Sequence, residues 1–135
     1  VRPPVNPTFA VAERVALRGG RPADLREVEE LAEEPVARPH DDPETSLRAA
    51  RRMLQRLRGM GKWGGYHTEF SHLARGFPGH ERALALEVGE ALLAAGLLVE
   101  KPSVGQRHVF LDPRRAAEIH ALVDHGTVPA GLALP

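Results

Sequence analysis

The densest chemistry in this sequence is a run of arginines, Arg48, Arg51, Arg52, Arg56 and Arg58, followed closely by Lys62. Guanidinium groups are permanently charged planar forks suited to phosphate or carboxylate oxygens, so the run points to an anionic partner. A solvated helix face is the plainer alternative, and the usual one for a charge run. His67, His72 and His80 raise the question of a metal. Helical metal pairs need i, i+4 spacing, whereas His67 and His72 are five apart without an acidic or cysteine partner in register, so no metal site is expected. Trp63 and Tyr66 lie among glycines and are expected to anchor a loop on the core, with base stacking as the alternative. The stretch 59–65 lacks the spacing and the Lys-Ser or Lys-Thr pair of a phosphate loop. Ser71 beside His72 is adjacency, not a triad. With no nucleophile and base, carboxylate pair or metal set in view, neither an enzyme nor a cofactor is expected.

Eighteen basic and eighteen acidic residues cancel over the 135, which speaks against a strongly basic nucleic-acid binder, but the charges are segregated. Between 22 and 44, Asp24, Glu27, Glu29, Glu30, Glu33, Glu34, Asp41, Asp42 and Glu44 face only Arg26 and Arg38. Between 45 and 82, Arg48, Arg51, Arg52, Arg56, Arg58, Lys62, Arg75 and Arg82 face only Glu69 and Glu81. Such asymmetry implies a charged partner or docking of one segment on another. The acidic stretch reads either as a phosphate mimic or, by preference, as a solubilising helix. The absence of cysteine excludes disulfides and thiolate metal sites and fits a cytoplasmic, reducing setting. No apolar run is long enough to span a bilayer, and the start does not read as a signal peptide. The missing initiator Met suggests a trimmed chain or a fragment.

Several elements must position these groups. A short strand is expected over 9–17 and a helix over 22–32, opened by Pro22 and its acids. Pro35, Pro39 and Pro43 mark a linker, so 1–43 reads as an appendage. Leu47, Ala50, Leu54 and Leu57 predict a helix capped by Thr45 or Ser46. Thr68 is expected to cap a short helix over 69–75. A glycine-proline turn then leads to a long helix over 79–95, with Leu84, Val88, Ala91, Leu92 and Ala95 inward and Gly96 closing it. A hairpin follows, its strands 97–101 and 106–111 joined at 102–105. Asp112-Pro113 opens a last helix with Ala116, Ala117, Ile119, His120 and Val123 inward. Residues 126–135 read as a frayed tail.

This order resembles the winged helix-turn-helix family over 47–124, most closely in the stretch Ala91-Leu92-Leu93-Ala94-Ala95-Gly96-Leu97-Leu98-Val99-Glu100-Lys101. The resemblance implies a mainly α fold with a small β-hairpin, a winged-helix domain over 44–125. It also implies a long helix that enters the major groove and a hairpin tip that touches phosphates. The candidate contacts are then Arg48, Arg51, Arg52, Lys62, Thr68, His80, Arg82, Lys101, Ser103, Gln106, Arg107 and His108, which offer cations, hydroxyls and amides to phosphates or base edges. Glu81, Glu87 and Glu90 on the same helix depart from this pattern, because acids facing the groove repel phosphates. Double-stranded DNA is the expected partner, for a transcription regulator or a DNA-binding module of a larger system, with a homodimer compatible. The alternative is a winged-helix protein adaptor.

Overall fold

Helix α1 (Thr45–Gly59) forms where the apolar spacing predicts it, and buries Ala49, Ala50, Met53, Leu54 and Leu57. The structure, a computed structural model, describes residues 36–102 and 105–135. The strand expected over 9–17, the acidic helix over 22–32 and Ser103 lie outside the described residues. The chain divides into two units, Val1–Pro35 and Val36–Pro135. Neither Thr45 nor Ser46 caps α1. Glu44 does so, its Oε1 accepting the Leu47 N–H at 2.6 Å, while the Ser46 hydroxyl donates to the Pro135 carbonyl. That bond ties down residues 126–135, where Leu132 is buried and Leu134 packs on the core, so this segment is no frayed tail.

After α1, the chain forms strand β1 (Thr68–Glu69) and a 3-10 turn, Phe70–Ala74. Thr68, expected as a helix cap, lies in the strand because the backbone there pairs with a distant segment instead of opening a helix. Phe70 N–H donates to the Arg107 carbonyl at 2.7 Å. Gly76 then turns the chain at φ +86°, a left-handed conformation that favours glycine. A second 3-10 turn, Gly79–Glu81, leads into α2 (Arg82–Ala94). Its buried face is Ala85, Val88, Gly89 and Leu92, whereas Leu84, Ala91 and Ala95 are only partly covered. Gly89 sets how closely α2 approaches the short turn. A Cβ there would lie 2.9 Å from Leu73 Cδ1 and 3.1 Å from Phe70 Cε1. Gly96, at φ +82°, ends the helix as expected.

The hairpin follows as β2 (Leu98–Lys101) and β3 (His108–Leu111), with Leu98 opposite Leu111 and Lys101 opposite His108. Its second strand starts two residues later than predicted. β1 pairs with the other side of β3, giving an antiparallel sheet in the order β1-β3-β2. Val109 and Leu111 point into the core, so His108 and Phe110, alternating with them, face outward.

A 3-10 turn (Pro113–Arg115) precedes α3 (Ala116–His125), and Asp112 Oδ1 accepts the Arg114 N–H at 3.0 Å. Ile119, Leu122 and Val123 are buried. Ala117 and His120, expected inside, are exposed, because the buried stripe passes through Leu122 instead. The three helices and the sheet thus share a single apolar cluster. Each fully buried residue such as Leu54, Leu92 or Ile119 contributes roughly 1.5–3 kcal/mol. No described helix is long and apolar enough to cross a membrane.

Candidate nucleic-acid interface

The arginines of α1 separate into three environments. Arg51 is 1% exposed and is not a surface cation. Its guanidinium donates to Asp42 Oδ2 at 2.8 Å, to the Ala37 carbonyl at 2.7 Å, and to the Val123 carbonyl through Nε at 3.2 Å and Nη2 at 2.9 Å. It therefore joins residues 37–42 to the C-terminal turn of α3, and its place among phosphate contacts is corrected to a structural one. Arg58 lies on the α3 side. It pairs with Asp124 at 3.0 Å and meets His120 Nδ1 at 3.0 Å, and holds the Asp124 carboxyl below the usual carboxylate range. Arg48 is half-buried and donates to the Asp42 carbonyl.

Arg52 and Arg56, one helical turn apart, face the turn that links the 3-10 helix to α2. Arg52 donates to the Gly76 carbonyl at 3.1 Å and sits 4.6 Å from the centre of the Phe77 ring. Arg56 Nη1 donates to the His72 and Arg75 carbonyls, each at 3.0 Å. Arg75 and Arg82 are exposed on the same turn, Arg75 against His72 Nε2 at 2.9 Å and Arg82 against the Phe77 carbonyl at 3.3 Å. None of Arg52, Arg56, Arg75 and Arg82 pairs with a carboxylate among the described residues. Each guanidinium carries five N–H donors, so these backbone bonds position the groups and leave donors over. A cavity of about 390 Å³ opens beside them, lined by Ser71, His72, Ala74, Arg75 and Arg82.

The outward stripe of α2 is Ala83, Glu87, Glu90 and Ala94. Arg107, in the hairpin loop immediately before β3, is occupied. It binds Glu90 at 2.6 and 3.1 Å and Glu100 at 3.0 Å, and lies 4.1 Å over the Phe70 ring. Hydrogen bonds from Arg107 hold both carboxyls below their usual range, and the guanidinium is correspondingly harder to deprotonate. Its charge is compensated, so it does not serve as the free cation the sequence suggests.

On the outer sheet face, Lys101 stands opposite His108, and His67 Nδ1 lies 2.9 Å from His108 Nδ1. The His67 imidazole is held below the ordinary histidine range, first by partial burial and then by the nearby charges of Lys101, His108 and Lys62. Thr68 Oγ1 lies 3.4 Å from His72 Nδ1. His80 is exposed with Glu81 at 3.5 Å, and Gln106 is exposed at the hairpin. Trp63 packs on the core and lies 5.6 Å from the His120 ring, but Tyr66, expected to anchor the loop, is 73% exposed. Among the described residues no three His, Asp or Glu side chains converge as a metal set.

The predicted contacts are thus not one surface. Arg52 and Arg82 come together with Arg56, which belongs to the arginine run but not to the candidate contacts, and with Arg75 and His72, which are not among those contacts either. Lys62, Lys101 and His108 gather with His67. Arg56 had a signal, being four residues after Arg52 on a helix. Arg75 had none, since only the packing of the turn against α1 brings it there. Compared with protein-family models, curated proteins and solved structures, the chain matches none.

Proposed function

We propose that this chain is a winged helix-turn-helix module that binds duplex DNA chiefly through its phosphates, as a transcription regulator or as the DNA-binding part of a larger system. The observation that carries the reading is the set of four guanidiniums, Arg52, Arg56, Arg75 and Arg82, gathered at the turn before α2 without a carboxylate partner among the described residues. Neutralising phosphates releases condensed counterions, so such a cluster supplies affinity independent of base sequence. The order α1, β1, short helix, α2 and β2-β3 hairpin, with β1 completing the sheet, supports the winged-helix part of the reading. A cytoplasmic setting belongs to the same reading, supported by the absence of cysteine. Glu87 and Glu90 on the outward stripe of α2 disfavour close approach to bases, so recognition is expected to be tolerant of sequence.

The test is fluorescence anisotropy with a short mixed-sequence duplex across a salt series. Affinity is expected to fall steeply with salt. Changing Arg75 and Arg82 together to Ala should shallow the log-log slope by about 1.8, the loss of two phosphate contacts at roughly 0.9 each. A chain that binds no duplex even at low salt overturns the proposal. The same α2 acids favour a second reading, an adaptor whose protein partner presents cations to Glu87 and Glu90. That reading requires a partner whose binding is lost when both are changed to Lys.

A further inference from the structure

We propose that Lys62, His67, Lys101 and His108 form a second phosphate-binding site on the outer face of the sheet, one that takes up a proton as the anion binds. The register places Lys101 directly across from His108, and the loop between α1 and β1 brings His67 to within 2.9 Å of His108 and Lys62 near enough for its charge to act on His67. The two imidazoles meet Nδ1 to Nδ1 at 2.9 Å, edge to face at 80°. Such a contact needs one ring to donate and the other to accept, so the two rings cannot both be cationic while it lasts.

Lys62 and Lys101 set positive charge beside the imidazole pair, and neither lysine pairs with a carboxylate among the described residues. The charges of Lys101 and Lys62 oppose protonation of His67. A phosphodiester oxygen resolves it. An anion set against the rings offers each Nδ1–H an acceptor, offsets the lysine charges and so draws a proton onto the pair. The surrounding charged and titratable groups are Lys62 on the loop, Lys101 on β2, Glu69 on β1 opposite His108, and His72 on the short turn. Glu69 is engaged by His72 at 3.2 Å rather than by the pair. His72 in turn contacts Thr68 and Arg75, so a chain of contacts links this patch to the arginine turn.

That the ligand is a backbone phosphate of nucleic acid rests on the duplex-binding reading; the proton coupling does not. Duplex affinity measured at constant ionic strength between pH 7.5 and 5.5 should rise by about three- to tenfold as the pH falls, since one coupled proton allows at most about tenfold per pH unit. Changing His67→Gln with His108→Gln should cut that rise below about twofold, whatever the variant's absolute affinity. A pH rise that survives in the variant, or a wild type whose duplex affinity does not change with pH, overturns the inference. The second measurement uses dimethyl phosphate, a phosphodiester that does not titrate in this range. Its addition to the wild-type chain should move the imidazole titrations of His67 and His108 to higher pH by NMR. If the chain binds no duplex at any pH, the duplex reading has failed, and this titration alone decides the site: a shift upholds it and no shift overturns it.

Discussion

Replacing Arg51 by Ala should destabilise the fold far more than replacing any other arginine of α1. The side chain is 1% exposed and makes four hydrogen bonds, with Asp42 Oδ2, the Ala37 carbonyl and twice with the Val123 carbonyl. Truncation leaves the Asp42 carboxylate, itself only 9% exposed, without its counter-ion. It also uncovers a carbonyl near the C-terminus of α3, where the helix dipole concentrates negative charge. Breaking a buried pair from one side costs about 3–5 kcal/mol, mostly the penalty of the charge left behind. For a domain of about a hundred residues that corresponds to a fall of roughly 15–30 °C in Tm. Urea unfolding followed by far-UV circular dichroism and by the fluorescence of Trp63, the single tryptophan, measures it. A double-mutant cycle with Asp42→Ala separates the terms: the double variant should be less destabilised than the sum of the two single ones. Arg75→Ala, at an exposed position, should stay within about 0.5 kcal/mol. A loss below about 1 kcal/mol for Arg51→Ala would refute the reasoning, because a buried charge cannot be orphaned so cheaply.

Two further outcomes follow from the same geometry. Asp112 caps the turn into α3, and the Arg114 side chain, then the Arg114 N–H, hold its carboxyl below the usual range. Its ionic contribution should be complete above the unfolded-state value of about 4 and lost as pH falls through the lower folded value. Urea midpoints between pH 3 and 7 should therefore show Asp112→Ala costing about 1 kcal/mol at neutral pH. Asp112→Asn should keep much of the cap and flatten the acid limb. If the acid limb is unchanged in Asp112→Asn, the Arg114 pairing does not contribute. On α2, changing Glu87 and Glu90 together to Gln should tighten duplex binding about three- to tenfold, by removing two negative charges and leaving Arg107 held by Glu100 alone. Unchanged or weaker affinity in anisotropy would mean that α2 does not face the duplex.

Much of the scaffold was legible in the residues. Leu54 and Leu57, Val88 and Leu92, and Ile119 and Val123 repeat at helical spacing, and all are buried where the spacing places them. The hairpin was legible from two apolar runs around a proline-glycine turn, and Gly96 from its position after an apolar helix. These signals are local, because a helix or a hairpin is built from neighbours in the chain. β1 is different. It is two residues long and exists because β3, some forty residues on, offers an edge; the isolated Thr-Glu pair carries no pattern of its own.

The functional groups divide in the same way. Sequence alone determined that α1 carries a run of guanidiniums and that α2 carries acids. Which guanidinium enters the interior was decided by Asp42 and Val123, and which reach the turn was decided by Gly76 and by how closely Gly89 lets α2 approach. Arg51 and Arg52 are adjacent and chemically identical, yet one is buried on an ion pair and the other lies over Phe77. Their difference lies in what each meets across the fold, because the free energy of a charge depends on its surroundings and not on its residue type. Arg107 makes the same point: between Glu90 and Glu100 it is a clamp, and only the packed hairpin puts it there.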